Sequence, residues 1–275
     1  MEEGPFRSTE SAEKPAEPAK DKGFAGLDFD ESPGVAGAAP RFATNAPGPV
    51  LLSRSVKPLA TPLADLLNGL DRCLTRGVRS LGLVLLGTLA GWWIYVPVHE
   101  LLHAAACAAA GGQVSRLEID GLYGGALLAR VFPFVVSGSA YAGRLSGWNT
   151  RGSDWIYLAT DLGPFVLTLF PGVWLMRRAA GSGRGFLFGF SLPFALAPFL
   201  SLTGDAYEIG SILVTKDGRV RGDDLFKIAE ALGKTEGAPW GAFTLAALLG
   251  LVWAYLTWAA GAWVARRLGQ PAIRR

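Results

Sequence analysis

Four long apolar runs, at about 78–110, 156–176, 185–202 and 240–264, leave this chain of 275 residues few ways to fold. A helix rises 1.5 Å per residue, so about twenty apolar residues match the roughly 30 Å hydrocarbon core of a bilayer. Each run lies near or above that length. A helix also satisfies its own backbone amides and carbonyls, which is the condition for crossing lipid. Half of the residues are hydrophobic, the mean hydropathy is positive and nine residues are Trp, a composition too apolar for an ordinary soluble domain. The expected fold is mainly α: a polytopic transmembrane helical bundle of about four spans.

Three regions are expected. Residues 1–57 mix Glu, Lys, Pro, Ala and Gly with little hydrophobic periodicity, which predicts a disordered tail. They lack the basic start, short apolar run and small-residue cleavage site of a secretory signal. Residues 58–77 place leucines at helical spacing among polar residues, which predicts an amphipathic helix at the membrane interface. Residues 78–268 form the membrane-embedded core. After its first span, VSRLEID and ALLARVFPFVV flank the Gly-rich GLYGG, a pattern for a small β-hairpin or sheet. Further on, Asp223 and Asp224 precede Leu225, Phe226, Ile228 and Leu232, as in a capped amphipathic helix.

The net charge is only +3, and the basic residues flank the apolar runs instead of forming a stripe interleaved with aromatics. Nucleic acid is therefore not an expected partner. By the positive-inside rule, Arg72, Arg76 and Arg79, then Arg177, Arg178 and Arg184, then Arg266 and Arg267 mark the cytoplasmic side. The end of the first span then faces away from the cytoplasm. No Walker A loop, dinucleotide-binding glycine pattern or solenoid repeat occurs. Two cysteines, Cys73 and Cys107, suffice for neither a disulfide framework nor a Cys-x-x-Cys metal site.

The chemistry concentrates late in the first run, where VPVHELLHAAACAAAGG holds His99, Glu100 and His103 in the order His-Glu-x-x-His. Positions four apart share a helix face, so both imidazoles can converge on one zinc ion. Glu100 points to the adjoining side, where the same motif in metalloproteases supplies a general base toward water. The chain has two histidines in all, and both fall in this motif; chance placement around a Glu is on the order of one in several thousand. Ionisable groups inside a span are costly and usually functional, which weighs against two histidines that merely hydrogen-bond within a bundle.

A tetrahedral catalytic metal needs a third protein ligand. Asp161, Asp205, Glu208 and Cys107 lie within or next to apolar segments. Cys107 lies about 12 Å along the helix axis from His99, too far to share an ion with it. Asp205 is preferred, since a carboxylate is a common third ligand and Gly204 can loosen the helix before it; Glu208 comes second. Asp161 can orient a histidine, assist substrate binding or cap the second span.

The motif within a span, the pair Gly163-Pro164 in the next span, and GDAYEIGSIL after the third resemble the site-2 protease family of intramembrane zinc metalloproteases over about residues 81–213. The resemblance implies a first core helix with the histidines, a small β element after it, and a later helix supplying an Asp. Zinc would then sit on His99, His103 and Asp205, with Glu100 catalytic. The implied activity is that of a zinc metalloendopeptidase cleaving membrane protein or peptide substrates in or beside the bilayer, with a prokaryotic inner membrane as the expected setting. The family's usual Asn-Pro-x-Pro-x-x-Asp-Gly context is replaced here by Leu200 to Gly204 before Asp205 and Ala206 after it. A membrane protein that binds metal without cleaving peptides, as sensor, transporter or scaffold, is the competing reading; it has no need of Glu100.

Overall fold

The computed structural model describes residues 61–75 and 77–273. The expected disordered tail at 1–57 lies outside them. Four helical segments are long and apolar enough to cross a membrane: Val78–Ala109, Asp154–Ser182, Gly185–Val214 and Trp240–Arg267. The protein is thus a mainly helical membrane protein with four candidate spans. The first and last are continuous helices, α2 (Val78–Ala109) and α9 (Trp240–Arg267). Along both, large side chains such as Leu85, Leu89, Trp93, Leu248 and Leu256 point outward, where lipid in place of water removes the cost of exposure.

The middle two candidate spans are broken. The second comprises α4 (Asp154–Leu162), a tight turn at Gly163–Phe165, a wide turn at Thr168–Gly172 and α5 (Val173–Ser182). The third comprises α6 (Gly185–Leu200), a non-helical link at 201–204 and α7 (Asp205–Val214). It is longer than the 185–202 expected from its apolar run, because the polar residues Asp205 and Glu208 sit inside it. Irregular backbone at membrane depth is tolerated where it is buried in protein or lines a cavity. The second holds near 201–204, where Ser201 lines a cavity, and the Thr203 carbonyl is satisfied by the Leu225 amide at 2.9 Å.

Small residues set the helix spacing. A Cβ on Gly87 would fall against the Phe186 carbonyl, and one on Gly189 against the Val84 carbonyl, so α2 and α6 run side by side in nearly direct backbone contact. In lipid, where apolar burial no longer drives association, such close packing is what holds helices together. Gly210 and Gly250 make the equivalent approach between α7 and α9.

Helix α1 (Thr61–Leu74) packs on α5 and α6, and the stripe it buries is Asp65, Gly69 and Cys73. Leu63, Leu67 and Leu74 remain exposed. Asp65 is there because Arg177 is: Oδ2 of Asp65 accepts from Arg177 Nη2 at 2.6 Å and Nε at 2.8 Å, while its Oδ1 accepts the Ile273 amide at 3.0 Å. Arg177, counted from sequence as a flanking surface charge, is instead fully buried and neutralised, and it ties the N-terminal helix to the end of α9.

Between the first two spans lies a three-stranded sheet in the order β2-β1-β3, with β1 (Gln113–Ile119), β2 (Val135–Ser137) and β3 (Gly143–Asn149). No β1–β2 hairpin forms. The Gly-rich GLYGG coils into a single tight turn, and α3 (Gly125–Leu128) follows, so the chain crosses over and β2 pairs parallel to β1. β3 pairs antiparallel on the other side, Leu117 opposite Leu145. Leu117, Ile119 and Val135 pack against Ala104 of α2, which seats the sheet on the helix end that carries the His-Glu-x-x-His motif. Finally, α8 (Leu225–Gly233) starts at Asp224, whose carboxylate accepts the Lys227 amide at 3.0 Å. That backbone amide, with the Lys227 ammonium, holds the Asp224 carboxyl below the usual carboxylate range.

Candidate metal centre

On α2, His99 and His103 stand one turn apart with their Nε2 atoms 3.1 Å from each other. Asp205, the first residue of α7, brings Oδ2 to 3.1 Å from His99 Nε2 and 3.7 Å from His103 Nε2. Among the described residues this is the one group of three His, Cys, Asp or Glu side chains close enough to hold a metal ion. Zinc bonds of about 2.0–2.1 Å in a tetrahedron put neighbouring donors about 3.3–3.4 Å apart. The three measured separations bracket that value, so the trio fits a tetrahedral ion without rearrangement.

Hydrogen bonds behind the imidazoles aim their Nε2 atoms inward. His103 Nδ1 lies 2.9 Å from the Thr160 carbonyl, which can only accept, so the proton sits on Nδ1 and the neutral ring offers a lone pair at Nε2. The Tyr95 hydroxyl, one turn before His99, holds His99 Nδ1 at 2.7 Å. Tyr95 is itself buried, edge-on to Phe194 with ring centroids 5.6 Å apart. Outer-sphere partners of this kind are what metal-ligating histidines use.

Thr160 reaches His103 because Gly163 lets α4 close on α2: a Cβ there would lie 2.6 Å from the Leu102 carbonyl oxygen. The Gly163-Pro164 pair thus serves the site through packing. Among the described residues Asp161 makes no hydrogen bond to a histidine; the group on His103 is the Thr160 carbonyl next to it, and the Ser153 hydroxyl caps α4. Glu208 does not join the trio. It accepts a short hydrogen bond from the Tyr157 hydroxyl. Cys107 is a buried free thiol that touches the Gln113 carbonyl from 4.0 Å.

The trio sits between two cavities. A polar one of about 350 Å³ is lined by His103, Asp161, Glu208, Trp148 and Asp223 among others; a mainly apolar one of about 320 Å³ is lined by Trp92, Tyr95, His99, Tyr141 and Leu200. Glu100, Gly143 and Asp205 line both. Glu100 is covered by the start of β3, where a Cβ on Gly143 would meet its Cγ and lie 3.0 Å from its Cδ. Only a residue without a side chain lets the strand pass so close to that carboxylate. Of these neighbours, Tyr95 had a sequence signal, since it lies four residues before His99. The Thr160 carbonyl, Gly143, Trp148 and Tyr157 carried none, because each reaches the motif only through tertiary packing.

No family model, curated protein or solved structure matches this chain. The reading of the site therefore rests on its own geometry and on the motif.

Proposed function

We propose that the protein is an intramembrane zinc metalloendopeptidase, of the kind that its motif resembles in the site-2 protease family, acting on membrane-associated protein substrates. The observation that carries the reading is three donors at tetrahedral spacing with Glu100 lining the same cavities. His99, His103 and Asp205 would hold the zinc. Bound there, zinc supplies Lewis acidity, polarising a scissile carbonyl and bringing the pKa of water toward neutrality.

The chain's own groups account for the rest. Glu100 accepts the proton of the attacking water and passes it to the departing amine. Tyr95 and the Thr160 carbonyl keep the imidazoles oriented. Among the described residues β3 pairs only with β1, which leaves its other edge beside Glu100 for an unwound substrate segment to add as a further strand. Unwinding is required, since a helical substrate has its own amides satisfied. The surrounding spans shelter the reaction, and a prokaryotic inner membrane is the proposed setting. Glu100 favours this over metal binding without catalysis: a storage or sensing site gains nothing from a carboxylate held beside the donors under a strand shaped to admit it.

The test is zinc content of detergent-purified protein, for wild type and for His103→Ala, Asp205→Ala and Glu208→Gln, with folding of each checked by size exclusion. One equivalent in wild type and Glu208→Gln, lost in the other two, is expected. Cleavage of a reconstituted single-span reporter by wild type and not by Glu100→Gln then separates protease from metal binder. Folded wild type without zinc sinks the reading.

A further inference from the structure

The polar cavity beside the metal centre carries more negative charge than hydrolysis at the trio uses. Asp161 is only 3% exposed, and its Oδ2 is shut off from solvent with no hydrogen-bond partner among the described residues. Glu208 is also buried, and its Oε1 accepts from the Tyr157 hydroxyl. A buried carboxylate oxygen without a partner is strongly unfavourable, and with Asp161 and Glu208 lining one cavity the site suits a cation from outside.

Among the described residues the protein pairs no basic side chain with them. None of its ion pairs among the described residues involves Asp161, Glu208 or Asp223, which stands exposed at the cavity mouth. In the loop before α8, Lys216 and Arg221 both grip Asp154, at 2.7 and 2.9 Å, and Arg219 pairs with Asp217. Arg144 on β3 lines the cavity, but it is exposed and lies over the Tyr141 ring, 5.6 Å from its centroid. The shape of the cavity narrows the class of cation. Its wall includes Trp148 and Tyr157, set edge to face with centroids 4.7 Å apart. Aromatic side chains pack the alkyl stem of a long basic side chain as well as attracting its charged head, and an inorganic ion has no such stem. Asp161, Glu208 and Asp223 moreover do not form a trio close enough to ligate a metal.

We propose that this cavity seats a lysine or arginine side chain of the bound peptide, with Asp161 and Glu208 as its counter-charges and Trp148 and Tyr157 along its stem. The assignment rests on the peptidase reading and adds to it a substrate class: sequences with a basic residue next to the cleaved bond. Because the cavity opens on Glu100 and the metal ligands, the basic residue and the scissile bond are adjacent.

The test is binding to purified full-length Glu100→Gln protein in nanodiscs, loaded with zinc, of four N-acetylated dipeptide probes: lysine or norleucine side chain, each as hydroxamate or as plain amide. Hydroxamate against amide reports the metal, and lysine against norleucine reports the acidic cavity, so the two readings fail separately. The lysine probes should bind at least about tenfold tighter than their norleucine partners, the size expected of a charge-assisted hydrogen bond. Asp161→Asn and Glu208→Gln should each shrink that ratio. Equal binding of lysine and norleucine probes to wild type or Glu100→Gln protein overturns the proposal, whatever the folding of the further variants. A norleucine probe with a free α-amine that matches the lysine probe also overturns it, placing the cation at the peptide terminus. So does a second equivalent of metal retained by wild type and lost in Asp161→Asn.

Discussion

Replacing Tyr95 by Phe removes one oxygen atom, 2.7 Å from His99 Nδ1, and leaves the ring that packs on Phe194. The imidazole then keeps its place on α2 but loses the group that fixes its rotation and its basicity toward an ion at Nε2. Outer-sphere partners of ligating histidines are worth roughly 10- to 100-fold in metal affinity, or about 1.4 to 2.7 kcal/mol. The loss should be confined to metal binding, because among the described residues the hydroxyl makes no second hydrogen bond and a single net hydrogen bond contributes only about 1 kcal/mol to folding. The assay is a zinc competition titration against a chromophoric chelator, run on detergent-solubilised wild type and Tyr95→Phe. Tyr207→Phe is the control: its hydroxyl donates to the Val220 carbonyl at 2.8 Å, away from the donors, and its loss should leave the zinc dissociation constant unchanged. An unchanged constant in Tyr95→Phe, or equal losses in both variants, would refute the claim that the Tyr95 hydroxyl orients a metal ligand.

Two further outcomes follow from the packing. Gly143→Ala should retain its zinc, since the atoms nearest the new methyl all belong to Glu100, while cleavage of a reporter falls on the order of 100-fold because that methyl displaces the Glu100 carboxylate; cleavage at the wild-type rate would show that Glu100 is not where it acts. Asp65→Leu alone should cost about 3–5 kcal/mol by stranding the buried Arg177 charge, and the double variant Asp65→Leu with Arg177→Met should recover most of it. Thermal unfolding in detergent checks this, and a double variant no more stable than the single one would contradict it.

Length and hydropathy were enough to read four spans, because a bilayer imposes one dominant requirement, an apolar helix long enough to cross it, and that requirement is written residue by residue. The pairing of His99 with His103 was legible for a similar reason: four residues on a helix always return to the same face. Tertiary structure alone decided what closes the site. Asp205 and Glu208 are three residues apart on one short helix, and both are carboxylates at the edge of an apolar run. Only the break at 201–204 turns Asp205 toward the imidazoles and leaves Glu208 on Tyr157. The strand over Glu100 was equally hidden. GRLSGWN has two glycines and little β-character, and it becomes a strand because β1 offers it a ladder. Local periodicity records which face a residue takes on its own element; which elements meet, and so which carboxylate becomes a ligand, a base or a counter-charge, depends on contacts between segments far apart in the chain.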